Sequence, residues 1–189
     1  MVKEFQRTGP LTDIDSYPAW AKQLMDATNE KKLRAMKHDL FVMMRDGMLS
    51  EQHLRNFLLA GWPVIEQFPQ YMAVNLCKIR YGRSRGESQV RQYLLHNIRV
   101  EQNHANHWVD WAVISGVKLQ DLLGDNAPVE SLALRHRCWY SCERYSLATS
   151  TAATNFAIEG ATGEWSTLVC STDAYEMSFN ASVRRKAMR

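Results

Sequence analysis

From Glu87 to Ser115 the chain runs without a glycine or a proline, and its apolar residues recur every three or four positions until Gly116 ends the pattern. A helix of that length is about 43 Å long, roughly the span of a small domain. It can bury its apolar stripe only against other rods of comparable length, which points to a helical bundle.

The remaining segments agree. In "SYPAW" Ser16 is a candidate cap with Pro18 in the first turn. The spacing predicts a helical region over 18–45, broken near "TNE" and ended by Gly47. Ser50 opens a second long helix, predicted to run to about Tyr81 and to bend at Pro63, whose ring removes a hydrogen bond. After a connector with about one helical turn, a fourth stretch over 129–171 is helical in pattern, with a bend expected at 142–146, and a last helix follows. No segment shows sustained two-residue alternation, so the chain is read as an all-α antiparallel helical bundle forming one domain over 1–189.

Twenty-three basic against twenty acidic residues, dispersed along the chain, argue against a nucleic-acid partner, and the one dense basic run, "RRKAMR", reads as a polar helix face. No apolar run is long enough for a membrane span and no secretory leader is visible, so the expected location is the cytoplasm. There Cys77, Cys138, Cys142 and Cys170 are expected as buried thiols rather than bridges.

"RVEQNHANHWVDW" departs from an ordinary apolar helix. At about 100° per residue, Asn97, Glu101, His104 and Trp108 share one stripe, and it is the apolar one. Glu101 and His104 are therefore expected to point inward, with His107 more exposed. A buried carboxylate needs a charge, a proton or a metal. Either Glu101 and His104 pair with each other or with an arginine, or they are ligands. A second stretch, "TNFAIEGATGEW", sets Glu159 among apolar residues with Gly160 and Gly163 after it. Glycines inside a helix each cost about 1 kcal/mol, and close approach of a helix or a ligand would justify them. Two inward carboxylates and an imidazole are ligands of the kind that hold non-haem iron or manganese in bundles, and Glu101 to His104 is a Glu-x-x-His pair.

The strings "WPVIEQFPQYMAVNL", "NIRVEQNHANHWVDW" and "ATNFAIEGATGEWS" resemble the haem-oxygenase-like helical superfamily, which includes the thiamine-degrading TenA proteins, the PqqC enzymes and a group of di-iron oxidases. Within it, the whole chain resembles the UndA group of medium-chain fatty-acid decarboxylases. That resemblance implies an enzyme that uses Fe(II), two ions when complete, with dioxygen and an external electron donor, to convert fatty acids such as lauric acid into terminal alkenes such as 1-undecene. Glu101, His104 and Glu159 would be the catalytic residues and iron ligands, and Gly160 and Gly163 would give room to the fatty acid. A homodimer is also expected. The resembling enzymes continue past the position of Arg189, so the chain reads as C-terminally incomplete. Two rivals stay open: a metal-free TenA/PqqC-like enzyme acting on a small heterocycle, and a non-catalytic fatty-acid-binding bundle.

Overall fold

The computed structural model describes residues 13–124 and 126–187; side chains of "RRKAMR" and the N-terminal leader lie outside the described residues. After a 3-10 turn at Ile14–Ser16 come α1 (Ala19–Met36), α2 (Asp39–Arg45), α3 (Glu51–Ile65), α4 (Phe68–Cys77), α5 (Arg85–Ile114), the short α6 (Leu119–Leu122) and α7 (Val129–Arg144). A rod of three parts follows: α8 (Leu147–Thr151), a π-helical segment (Ala152–Glu159) and α9 (Gly160–Val169), and then α10 (Ala174–Ala187). The described residues contain no strand, as the periodicity predicts.

The breaks differ in detail from those predicted, and each has a local cause. α1 runs through "TNE" and ends at Lys37, where His38 caps the next helix by accepting the Leu40 N–H at its Nδ1 (3.2 Å). The rod predicted to bend at Pro63 instead divides three residues later, between α3 and α4. Pro63 itself sits inside α3, where its missing N–H and ring crowding weaken the last turn. Ser16 is not a cap: its hydroxyl donates to Asp13 O (2.6 Å), and Pro18 occupies the N-cap. Ser50, Ser84 and Ser146 do cap α3, α5 and α8, each accepting an N–H from three residues on. The predicted bend at 142–146 is the Tyr145–Ser146 junction.

Two apolar clusters fill the bundle. One joins Leu54, Leu58 and Trp62 of α3 to Ala105, Trp108 and Ala112 of α5. The other gathers Val64, Phe68, Tyr71, Met72 and Leu94 with Cys138 and Cys142 of α7. Helices α3 and α5 thread both. At their crossing Gly61 has no room to spare, since a Cβ there would lie 2.5 Å from the Trp108 ring, whose Nε1–H donates to Leu58 O at 2.9 Å. Cys138 and Cys142 are buried thiols, but Cys77 and Cys170 face solvent, contrary to expectation. No described helix is long and apolar enough to cross a membrane.

Candidate active site

Helix α5 presents Tyr93, Asn97, Glu101 and His104 along one side, and the π-helical segment opposite carries Asn155 and Glu159. A π-helix is a widened turn that shifts the side chains following it, and it is found often where function needs a side chain re-aimed. Asn155 lies four residues before Glu159 on this segment, close enough for their side chains to meet. Its Nδ2 donates to Glu159 Oε2 at 3.0 Å and to the Tyr93 hydroxyl at 3.1 Å. Tyr93 in turn donates to Glu159 Oε2 (2.8 Å), and Asn97 Nδ2 donates to Glu159 Oε1 (3.1 Å). Glu159 is thus held by three neutral donors, and among the described residues it has no ion pair. The Tyr93 hydroxyl is kept protonated well past its ordinary range, first by burial and then by the charge of Glu159.

The start of this rod is pinned from outside the site. Lys78 Nζ donates to Asn75 Oδ1 (3.0 Å), Tyr145 O (3.0 Å) and Ser150 Oγ (2.9 Å), and Ser150 donates to Asn75 Oδ1 at 2.6 Å. With Asn75 and Ser150 fully buried, this network fixes where the π-helical segment begins. Burial holds the Lys78 ammonium below the usual lysine range.

Glu101 is buried as predicted, and its Oε2 lies 3.1 Å from His104 Nδ1. The pairing open to it from the sequence is therefore the one formed. Its other oxygen, Oε1, is buried without a hydrogen-bond partner among the described residues. His104, however, is exposed rather than inward. It stands about 60° round the helix from Glu101, at the edge of the stripe, so the ring emerges where the carboxylate does not. The hydrogen bond to Glu101 raises the His104 pKa above its ordinary value, with the charges of Glu101 and Glu159 adding to it and burial opposing. His107 is exposed, in line with expectation.

The three predicted ligands lie within one another's electrostatic reach but do not form a ligand cage. Among the described residues no three His, Cys, Asp or Glu side chains come together to hold a metal ion. Glu101 is turned to His104, while Glu159 is enclosed by a tyrosine and two asparagines. At Gly160 and Gly163 a Cβ would meet nothing within 4 Å, so no neighbouring helix demands them, and Gly160 lines the groove described next. Tyr93 and Asn155, which complete the cradle, were not singled out from the sequence. Their signal was the four-residue step from Asn155 to Glu159 and from Tyr93 to the noted Asn97.

Glu159 opens onto a groove of about 1300 Å³ between α1 on one side and α5 and the α8–α9 rod on the other. Its walls are mainly apolar and aromatic, including Trp20, Leu24, Val90 and Phe156. Cys138, the buried thiol of α7, is pushed up to about 11 by burial and by Cys142, so it is not a poised nucleophile.

An all-helical TenA/PqqC-like bundle with a carboxylate-centred groove is the class that this fold and site define. A crystal structure of a TenA homologue from Pseudomonas syringae pv. tomato str. DC3000 is 50% identical to this chain and superposes with a TM-score of 0.86, covering 97% of this chain and 76% of its own. Neither a protein-family model nor a curated protein matches. The chain belongs to the TenA family. This overturns the resemblance to the UndA fatty-acid decarboxylases, and with it the iron-dependent conversion of lauric acid to 1-undecene: the half-identical relative is a TenA homologue. Likeness within one fold does not by itself separate one chemistry from another.

Proposed function

We propose that this chain is a TenA-type enzyme that acts on a small nitrogen heterocycle by general acid–base chemistry, with Glu159 as the proton-transferring group. The observation that supports this most directly is the setting of Glu159. It is a carboxylate at the edge of an apolar groove, held by the neutral donors Tyr93, Asn97 and Asn155. Neutral donors fix the carboxylate's position without cancelling its charge, so it remains able to accept a proton from a substrate or a water on the groove side. Aromatic and aliphatic walls suit the faces of a flat ring, and the carboxylate suits its polar edge. Glu101 and His104 form the neighbouring acid–base pair, with the ring reaching solvent and the carboxylate the interior.

The test is turnover of a panel of heterocycles, beginning with thiamine and aminopyrimidines, by the protein and by Glu159→Gln. The amide keeps the shape and most hydrogen bonds but cannot take up a proton. We expect kcat to fall about 100-fold or more with helical content unchanged. Turnover by Glu159→Gln equal to the parent would overturn the assignment.

A further inference from the structure

We propose that α1 is a substrate-closed jaw over the groove and that Trp20 is its principal apolar contact with the bound ligand; this deepens the reading above and rests on it. Tyr17, Trp20, Leu24, Thr28 and Lys32 recur at helical steps and all line the groove, so this side of the α1 region is turned to open space rather than to a core. Of the eighteen residues of α1 only Met36, at its C-terminal end, is buried. Trp20 is 67% exposed although it lines the groove. A tryptophan left in water on the inner wall of a groove gains a large apolar contact as soon as a ring lies against it.

The groove is also too wide for its proposed ligand. Pockets that enclose small molecules usually measure about 300–1000 Å³, and this one exceeds that while being walled on one side by a sparsely packed helix. Helix α1 leans on α9, where Lys32 Nζ meets Glu164 Oε1 at 2.7 Å, an ion pair with both partners partly exposed. Such a pair is a weak tether, easily remade in another geometry. Few buried contacts and one exposed tether are the features of an element that opens and closes at low cost. The charges favour a ligand with a cationic or hydrogen-bond-donating edge: Glu164 is paired with Lys32 and Glu87 with Arg83, which leaves Glu159, held by neutral donors, as the groove's uncompensated carboxylate among the described residues.

The experiment is amide hydrogen exchange over residues 19–36 of the intact chain, alone and with two probes whose binding is measured separately by calorimetry. One is an aminopyrimidine; the other is the neutral apolar dye N-phenyl-1-naphthylamine. We expect either bound probe to slow exchange in α1 about tenfold while the core of α5 is unchanged. Trp20→Ala should weaken both probes about tenfold, and Lys32→Ala should speed α1 exchange in the free protein. If the dye closes α1 and the heterocycle does not bind, the jaw stands and the heterocycle reading fails. A bound dye with unchanged α1 exchange, no dye binding, or Trp20→Ala binding as the parent does would overturn the jaw.

Discussion

Glu101 and Glu159 are two carboxylates of the same length, set against the same helix face, and their neighbours give them different work. Glu159 is surrounded by neutral donors and faces a groove. Glu101 is buried and turned to an imidazole. The second arrangement carries a pH signature. Because the His104 pKa is raised on folding, protonating it stabilises the folded state. That contribution is fully present below the unfolded value of about 6.5 and is lost as pH rises through the higher folded value. Thermal melts of the parent and His104→Gln should therefore differ most below the unfolded value of about 6.5 and converge as the pH rises through the higher folded value. A gap that stays constant across that range would mean that the pair adds nothing through ionisation.

Among the helices, the α8–α9 rod shows how one element divides stability from function. Its π-helical turn re-aims Asn155 and Glu159, and the two glycines after it leave bare backbone that no helix fills. Gly163→Ala should then raise stability by about 0.5–1 kcal/mol, because alanine restricts the unfolded chain and meets open space. Gly61→Ala should do the reverse. Its added methyl would enter the Trp108 ring, a backbone-anchored side chain, and the strain of overpacking is about 1–3 kcal/mol. Urea unfolding of both variants checks the pair of signs, and a stabilised Gly61→Ala would show that the α3–α5 crossing yields more readily than its contacts indicate.

At the scale of the molecule, the two apolar clusters are not two domains. Helix α3 gives Leu58 and Trp62 to one and Val64 to the other, while α5 gives Trp108 to one and Leu94 to the other. Neither cluster can melt while both shared helices remain. Unfolding followed by tryptophan fluorescence, which reports mainly on the first cluster, should coincide with loss of far-ultraviolet circular dichroism. Separated transitions would show that the clusters are independent.

Much of this architecture was written in the order of residues. The three- and four-residue steps, the serine caps and the glycine stops are local, so the helices and their bundle class follow from neighbours along the chain. The burial of Glu101 followed from the same periodicity, as did the exposure of His107. What the sequence did not hold was the placement of groups across helices. The fate of Glu159 depends on a tyrosine and an asparagine sixty-odd positions away and on a π-helical turn, and hydrogen bonds over such separations leave no spacing to read. Which donors come to surround a carboxylate is a matter of distances and angles between helices, which only the packed bundle decides.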